Sequence, residues 1–155
     1  MTWLITLEPI GIVRSSVVDE RDDDWGSVIA TIELEVALAP GLDGIDAFSH
    51  ALVVFAMHRA TFDRERDLRR RPRGRGDLPE LGIFAQRAKH RPNPIGVTAV
   101  EIVGVDGGAL RVRGLDAIDG TPVLDIKPYV AAFDRRTATE PEWIAEIMRG
   151  YFAAD

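Results

Sequence analysis

Residues 28–38, VIATIELEVAL, alternate between apolar positions and more polar ones. The alternating apolar positions are Val28, Ala30, Ile32, Leu34, Val36 and Leu38. Successive side chains of a strand point to opposite faces of the sheet, so this alternation is typical of a strand with one buried face. The pattern predicts a half-buried strand over residues 28–38, which the turn residues APGLDG follow at 39–44.

Short apolar segments surround this strand along the sequence. We predict further strands at residues 3–14, 48–57, 95–105, 109–112 and 123–126. The segment 48–57 is apolar at both alternating sets of positions, which favours a central strand, and Asp106-Gly107-Gly108 predicts a hairpin turn. Many short strands with turn residues between them favour a mainly antiparallel β-barrel or sandwich.

A single clear amphipathic helix is predicted near the end of the chain, over residues 140–153. Thr139 is expected to cap it, Pro141 suits its first turn, and Trp143, Ile147 and Tyr151 would share one face. The chain has 155 residues, which fits one domain over residues 1–155.

The charge is unevenly distributed along the chain. The net charge is −6, but residues 58–91 hold 11 Lys and Arg against five Asp and Glu. This basic region includes RERDLRRRPRGRGDLPE at residues 64–80, where we expect a mobile loop, although a helical stretch near 63–71 is compatible with the sequence. The region either binds an anionic partner or is a solvated loop.

Composition excludes several classes of protein. The chain has no cysteine, which rules out disulfides and thiolate metal sites. Its longest apolar run, ALVVFAM at residues 51–57, is far shorter than the roughly 20 residues of a membrane span. We therefore expect a soluble, cytoplasmic protein without a membrane partner.

The segment GIFAQRAKHRPNPIG, residues 82–96, is a stiff basic stretch that we call the proline corner. Pro92 and Pro94 fix the backbone at two positions and push Arg91 and Asn93 toward extended conformations. Such a pre-organised backbone loses little entropy when a ligand binds, and Gly96 allows a close approach. The corner is either a binding site or a rigid start to a strand.

The segment LDAIDGTPVLDIKPY, residues 115–129, places three aspartates among apolar residues, and we call it the aspartate segment. Asp125 lies within a predicted strand, and Lys127 lies two residues further on the same face. The two side chains form either a structural ion pair or part of a site in which a carboxylate meets a ribose diol or a cationic ligand.

The histidines do not indicate a metal site. His50 and His58 lie on one face if the strand is extended to Phe48–His58, but no carboxylate lies at ligand spacing, so we expect no metal and interpret both as buried or hydrogen-bonded structural residues. The sequence also lacks a glycine-rich phosphate loop and a nucleophile elbow.

Together the two segments resemble the TrmO family, also called YaeB-like or TsaA-like. The shared patterns are G-hydrophobic-F-A-x-R-x-x-x-R-P-N-P-I-G and L-D-x-x-D-G-T-P-V-L-D-I-K-P-Y, supported by EPIGIVRS at 8–15 and LDGIDAFSHALVVF at 42–55. The resemblance spans about residues 7–130. It implies a single-sheeted antiparallel β-barrel that acts as a homodimer, binds S-adenosylmethionine near the subunit interface, and N6-methylates threonylcarbamoyladenosine at position 37 of a threonine tRNA.

The resemblance also implies roles for individual residues. The implied cofactor-binding residues are Phe84, Gln86, Arg87, His90, Arg91, Pro92, Asn93, Pro94, Ile95, Asp116, Thr121, Asp125 and Lys127. If the arginine run handles tRNA, its phosphate-binding residues are Arg69, Arg70, Arg71, Arg73 and Arg75. No catalytic residue is evident, and His58 and Asp119 are weak candidates for a base.

The chain departs from the family pattern at two places. Gln86-Arg87-Ala88 stands where the family usually has Thr-Arg-Ser, and the acidic DERDDDWGSV at 19–28 replaces a basic stretch that ends in Pro-Arg-Gln. These changes fall where tRNA would be handled. Two alternatives to a tRNA methyltransferase therefore stay open: a methyltransferase with another acceptor, and a non-catalytic module that binds S-adenosylmethionine or RNA.

Overall fold

The computed structural model describes residues 2–153, in which six antiparallel strands close into a barrel. The strand order is β1-β2-β7-β6-β3-β8, and β8 pairs back with β1. The mainly β, single-sheeted barrel with short helices is confirmed, and the sandwich alternative is wrong. Met1, Ala154 and Asp155, which the predicted domain includes, lie outside the described residues.

The elements are short, and most connections between them are irregular. The strands are β1 (Gly11–Arg14), β2 (Ile29–Leu34), β3 (His50–Ala56), β4 (Arg69–Arg70), β5 (Leu81–Gly82), β6 (Ile95–Asp106), β7 (Ala109–Arg113) and β8 (Pro122–Pro128). The helices are α1 (Arg64–Asp67), α2 (Ala131–Asp134) and α3 (Glu142–Met148). Turns of 3₁₀ helix occupy Val36–Leu42, Ile45–Ala47, Pro72–Gly74 and Ile83–Ala85.

The alternation at residues 28–38 correctly predicted the buried face of β2 but not its end. Ala30 and Ile32 are buried in the barrel, as predicted. Past Leu34 the chain turns into 3₁₀ helix, because the neighbouring β1 begins opposite Leu34 and β7 begins opposite Glu33. Without a partner on either side, the alternating sequence beyond residue 34 cannot continue as a strand.

The strand predicted at residues 3–14 is wrong in its first part. β1 begins at Gly11, while the side chains of Trp3, Leu4 and Ile5 are 78%, 92% and 77% exposed. On one side, β2 ends at Leu34, opposite Gly11. On the other side, β8 continues past Val123 to Pro128, but its register with β1 covers only Gly11 and Ile12. The apolar residues 3–7 lie outside the sheet.

The remaining barrel strands are confirmed with small changes of bounds. β3 pairs along its length with β6 and β8, as expected for a central strand. The hairpin between β6 and β7 turns at Gly107, whose φ is 59°. A bulge between Val54 and Phe55 shifts the register of β8, so Val123 points into the barrel whereas Asp125 lies on the outer face beside Val54.

All strands are antiparallel, so their connections leave from two opposite ends of the barrel. One end, which we call the upper rim, carries the strand ends Arg14, Ile29, Ala56, Ile95, Arg113 and Pro122. The connections 15–28, 57–94 and 114–121 leave from this end. The opposite end, the lower rim, carries the connections 35–49 and 107–108. The core between the rims is apolar and includes Val13, Ile32, Val53, Phe55, Val100, Leu110, Val112 and Val123.

The region predicted as a mobile loop contains regular structure instead. Residues 64–82 hold α1, a 3₁₀ turn and the two-stranded sheet of β4 and β5. The Asp63 side chain accepts hydrogen bonds from the backbone N–H groups of Glu65 and Arg66, which caps α1. A helical start near residue 63 was compatible with the sequence, but it extends for one turn only.

The C-terminal helix is present but shorter than predicted. α3 covers Glu142–Met148, Pro141 precedes it, and Thr139 makes no capping bond. The chain turns at Gly150, whose φ is 74°, so Tyr151 lies beyond the helix. Within residues 2–153, no helix has both the length and the apolar character needed to cross a membrane.

Candidate functional site

The proline corner lies at the upper rim, where it opens strand β6. The Met57 N–H donates to the Pro94 carbonyl over 2.8 Å, which joins the corner to the end of β3. Gly96 sits against the ring of Phe55, and a Cβ at this position would lie 2.4 Å from Phe55 Cζ. The glycine therefore lets the corner pack directly on the barrel core.

Two arginines of the corner bond to backbone carbonyls. Arg91 Nη1 donates to the carbonyls of Gln86 and Ala88 over 2.7 and 3.1 Å, and Arg87 Nη2 donates to the Val97 carbonyl over 2.8 Å. Arg91 is half-buried and Arg87 is exposed. Arg91 thus holds the shape of the corner, while Arg87 stays accessible to a ligand.

Gln86 joins the corner to the basic region, a contact that the sequence did not indicate. Its side chain is 5% exposed, and Nε2 donates to the carbonyls of Arg70 and Leu81 over 2.8 and 3.0 Å. Its Oε1 is buried without a hydrogen-bond partner among the described residues. An unsatisfied buried acceptor is costly, so a donor from a ligand or water would stabilise this position.

Asp116 brings the aspartate segment into contact with β6. Thr98 Oγ1, on β6, donates to Asp116 Oδ1, and the Tyr151 hydroxyl donates to Asp116 Oδ2 over 2.5 Å. Burial and the charge of Asp116 raise the pKa of Tyr151, which keeps its hydroxyl protonated as the donor. The two segments that the sequence singled out therefore converge at the upper rim.

Two other residues of the aspartate segment support the barrel. Asp119 Oδ1 accepts a hydrogen bond of 3.0 Å from the Ser15 N–H, just after β1. Thr121 is buried, and its carbonyl accepts from the Val13 N–H over 2.9 Å. Both residues lie at the upper rim and fix the start of β8 against β1.

Asp125 and Lys127 lie apart from this cluster. Lys127 Nζ is 2.8 Å from Asp125 Oδ2 on the outer face of β8, and the carboxylate raises the pKa of Lys127. Lys127 comes five residues after Pro122, or about 16 Å along the strand from the upper rim. Asp125 borders a second cavity, of about 560 Å³, at the lower rim beside Leu42 and Phe48.

A basic cleft of about 660 Å³ borders the proline corner at His90. It is lined by Thr61, Arg66, Asp67, Arg69, Arg70, Arg71, Gly74, Glu80 and His90. The predicted cofactor residue His90 belongs to this cleft, where its Nδ1 is 2.7 Å from the Thr61 carbonyl oxygen.

Asp67 organises the cleft, although the sequence analysis did not single it out. It is 1% exposed, and Arg66 donates to both its oxygens over 2.9 and 2.8 Å. The Asp63 N–H adds a bond of 2.8 Å. The bond from Arg66 is the main cause that lowers the pKa of Asp67 to about 2.

The five arginines predicted to bind RNA all have contacts within the chain. Arg69 lies 3.5 Å from Glu80 and Arg70 lies 3.7 Å from Asp67. Arg75 pairs with Asp77 and, over 2.8 Å, with Glu146 of α3. Arg71 donates to the Leu78 carbonyl, and Arg73 stands 5.9 Å from the ring centroid of Tyr151. Arg71 and Arg73 have no carboxylate partner within residues 2–153.

Residues 19–28 between β1 and β2, which we call the acidic connection, lie beside basic residues of the upper rim. Glu20 pairs with Lys89 of the proline corner, and Asp19 lies 3.6 Å from Arg59. Trp25, in the same connection, is buried against Val17 and Ile118. The acidic connection therefore neutralises part of the positive charge at this end.

The two histidines lie at opposite ends of the barrel. His50 is exposed at the lower rim and is bonded to Ser49 Oγ over 2.7 Å, whereas His58 is exposed just beyond the upper end of β3. The interpretation of both as buried or hydrogen-bonded fits His50 through its bond to Ser49, but neither side chain is buried, because His50 begins β3 at the lower rim and His58 lies beyond its end at Ala56. His58 makes no side-chain hydrogen bond to the described part of the chain. Residues 2–153 contain no cluster of three or more His, Asp or Glu suited to a metal ion.

Known proteins resemble this chain in sequence and in fold. Residues 23–135 match the sequence model of a family described as the tRNA-methyltransferase O N-terminal domain. A "probable S-adenosyl-L-methionine-binding protein" of Pyrococcus abyssi is 38% identical over 153 residues, covering 91% of this chain and 77% of that protein. A tRNA (adenine(37)-N6)-methyltransferase of Rattus norvegicus is 41% identical over 101 residues, covering 65% of this chain but 23% of the rat protein. A crystal structure of TrmO from P. aeruginosa matches with a TM-score of 0.73 and 32% identity, covering 90% of this chain and 61% of that chain.

Proposed function

The chain belongs to the family of the tRNA-methyltransferase O N-terminal domain, and we propose that it transfers a methyl group from S-adenosylmethionine to N6 of an adenosine in tRNA. One relative is described as binding S-adenosylmethionine and another as a methyltransferase of adenine 37 in tRNA. The structural observation that carries the proposal is the convergence of the proline corner and Asp116 at the upper rim, through Thr98 of β6.

The groups at the upper rim fit a methyl-donating nucleoside. Within residues 2–153, Gln86 Oε1 is a buried acceptor without a partner and each oxygen of Asp116 keeps an unused acceptor position, while the Asn93 side chain is exposed. When bound, S-adenosylmethionine supplies an electrophilic methyl group on a sulfonium. The ring of Phe84, which is 78% exposed, offers an aromatic face that attracts such a cation.

Arg87 is the residue we assign to the methionyl carboxylate. It is exposed and extends from the corner, whereas Arg91 already bonds to two carbonyls within it. Arg91, with Pro92 and Pro94, keeps the backbone shape against which the adenosyl part would lie. Pre-organised contacts of this kind align donor and acceptor without a further loss of chain entropy.

His58 is the better placed of the two candidate bases. Methylation of an exocyclic nitrogen releases a proton, and a general base must reach it. Asp119 is already bonded to the Ser15 N–H, but His58 is exposed at the upper rim with its ring free of hydrogen bonds to the described chain. We therefore assign the proton transfer to His58.

The arginine segment, residues 64–75, is the surface we assign to tRNA phosphates. It borders the proline corner through the bonds of Gln86, so RNA bound there would lie next to the methyl donor. As the methyl acceptor we propose threonylcarbamoyladenosine at position 37 of the tRNA, which is the substrate that the family resemblance implies. The acidic connection that pairs with Lys89 and Arg59 favours a second candidate, a smaller acceptor that carries less phosphate charge.

We also propose that two copies of the chain form the working enzyme. The exposed apolar side chains of Trp3, Leu4, Ile5 and Leu7 supply a surface that a second copy would bury. Asp125 and Lys127 lie too far from the upper rim to share its ligand within one chain. In a dimer, they could complete the pocket of the partner.

Transfer of a radiolabelled methyl group tests this function. The purified chain would be incubated with labelled S-adenosylmethionine and total tRNA from cells that lack the endogenous enzyme, and nucleosides would be separated by chromatography. We expect label in N6-methylated threonylcarbamoyladenosine. Cofactor binding without label in RNA would favour a smaller acceptor, and binding without transfer to any acceptor would favour a non-catalytic module.

A further inference from the structure

The chain beyond α3 crosses the upper rim, and we call residues 149–152 the C-terminal strap. The Asp24 N–H donates to the Gly150 carbonyl and the Trp25 N–H donates to the Tyr151 carbonyl, each over 2.9 Å. The strap lies outside residues 23–135, which match the family. It is held by the acidic connection between β1 and β2, where this chain departs from the family pattern.

Gly26 allows the strap to lie at this position. A Cβ on Gly26 would lie 1.5 Å from the Phe152 carbonyl oxygen and 2.5 Å from its carbon. Backbone atoms cannot rotate away as the end of a flexible side chain can. Any side chain at position 26 must therefore displace the strap.

The strap inserts Tyr151 beside Asp116. The ring packs against the buried cluster of Val17, Trp25 and Ile118, and the hydroxyl donates to Asp116 Oδ2 over 2.5 Å. Thr98 donates to Oδ1, so each carboxylate oxygen is held by one hydroxyl. A carboxylate held from both sides has a fixed direction for its remaining acceptor positions.

The same part of the chain contacts the arginine segment. Glu146 of α3 pairs with Arg75 over 2.8 Å, and the guanidinium of Arg73 stands 5.9 Å from the ring centroid of Tyr151. Tyr151 thus lies between the surface assigned to RNA phosphate and the carboxylate assigned to the donor site.

We propose that Tyr151 is a positioning residue, whose hydroxyl acts with that of Thr98 to orient Asp116 to accept hydrogen bonds from the ribose hydroxyls of S-adenosylmethionine. This proposal rests on the proposed function and extends the donor site to a segment beyond the matched family domain. Without the Tyr151 hydroxyl, the Asp116 carboxylate can rotate or bind water. Its orientation toward the ribose must then be fixed when S-adenosylmethionine binds, which lowers the affinity.

The first test compares Tyr151→Phe with Tyr129→Phe, a matched change at the chain's other tyrosine, which follows β8 at the lower rim. S-adenosylmethionine affinity would be measured by titration calorimetry and thermal stability by circular dichroism. We expect Tyr151→Phe to weaken binding about three- to tenfold, the range for loss of one hydrogen bond, and Tyr129→Phe to leave it unchanged. The KM for S-adenosylmethionine should rise while kcat at saturation stays constant.

A double-mutant cycle separates positioning from simple structural support. If Tyr151 acts through Asp116, Tyr151→Phe should have no further effect on affinity once Asp116→Asn is present. Additive losses would overturn the proposal, as would unchanged affinity in Tyr151→Phe. If Tyr151→Phe fails to fold, Gly26→Ala provides a second route, since it displaces the strap and should weaken binding while Tyr151 remains.

The outcomes also separate this proposal from the proposed function. Equal affinity of wild type and Tyr151→Phe for S-adenosylmethionine would overturn the role of Tyr151 alone. Wild-type protein that does not bind S-adenosylmethionine would overturn both.

Discussion

The side chain of Asp67 is buried at the basic cleft, where it carries a negative charge. Its carboxylate receives two bonds from Arg66 and one from the Asp63 N–H. A carboxylate with these donors is stabilised in its charged form, which is why the pKa of Asp67 falls to about 2. The residues that ligands would touch in this cleft are arginines, but their positions depend on this buried acid.

The pH dependence of stability should show this role. The pKa of folded Asp67 lies below its ordinary value of 3.8, so its contribution is complete above about pH 4 and is lost as the pH falls toward about 2. We expect Asp67→Asn to flatten the loss of stability in this window relative to wild type, measured by urea denaturation at several pH values. An exposed control, Asp46→Asn, should keep the wild-type slope. Parallel curves for wild type and Asp67→Asn would contradict the assignment.

His58 and His50 allow a matched test of the catalytic base. His58→Gln should lower kcat about 10²- to 10⁴-fold, the usual contribution of a general base, with little change in S-adenosylmethionine affinity. His50→Gln, the same change at the lower rim, should leave kcat unchanged. Equal activity of both variants in the tRNA methylation assay would remove His58 from the mechanism.

Single residues also show why parts of the site could not be predicted. The motif identified Gln86 as a departure from the family pattern, but its bonds to Arg70 and Leu81 depend on how β4 and β5 fold. Asp67 carries no sequence signal, since it is one acid within a run of arginines. Contacts of this kind are set by tertiary packing, which a residue pattern does not encode.

Among the elements, β6 links the proline corner to the core through Gly96. Its neighbour Phe55 is buried under the glycine, and the Cβ of an alanine would overlap the ring. We expect Gly96→Ala to lower the free energy of unfolding by about 1–3 kcal/mol, the usual cost of overpacking, measured by urea denaturation. Gly104→Ala, in the same strand but with open space around its Cβ, should change stability by less than about 0.5 kcal/mol. Equal effects at the two positions would show that the contact with Phe55 does not constrain the corner.

The arginine segment can be tested by the salt dependence of tRNA binding. Each phosphate contact contributes a slope of about 0.7–0.9 in log affinity against log salt. Reversal of Arg69, Arg71 and Arg73 to Glu should weaken binding and flatten the slope by about two to three units. The charge-matched control reverses Arg111, Arg135 and Arg136, which are exposed on other elements. An unchanged slope in the first variant would remove the RNA role of this segment.

The alternation of apolar residues predicted strands reliably, but not where they end. Ala30 and Ile32 face the core as expected, yet Val36 continues the pattern and is 91% exposed. Alternation indicates which face of a strand a side chain occupies. The length of a strand depends instead on how far it pairs with the neighbouring strands.

The barrel as a whole brings the proline corner and the aspartate segment, which are distant in sequence, to the upper rim. The resemblance predicts that both segments line one pocket, and Asp116 accepts a hydrogen bond from Thr98, two residues beyond the proline corner. The sequence pattern does not predict the strap, because it places Tyr151 on one face of the C-terminal helix. It reaches Asp116 only because α3 ends at Met148 and the chain turns at Gly150.

The proposed dimer can be tested at the exposed N-terminal segment. Light scattering coupled to size exclusion should give twice the monomer mass for wild type, because a second copy would bury Trp3, Leu4 and Ile5. Substitution of Trp3 and Ile5 by Ser should shift the mass toward that of the monomer, whereas Ser in place of exposed Val36, at the lower rim, should not. A monomeric wild type would refute the dimer.

The position of bound S-adenosylmethionine decides whether the donor site lies at the upper rim, because the lower rim offers a separate cavity. Crystals of the chain grown with S-adenosylmethionine would show where it binds. We expect density at the upper rim, in contact with the proline corner and with Asp116 between Thr98 and Tyr151. Density confined to the lower cavity, beside Ile10, Leu42 and Phe48, would contradict it.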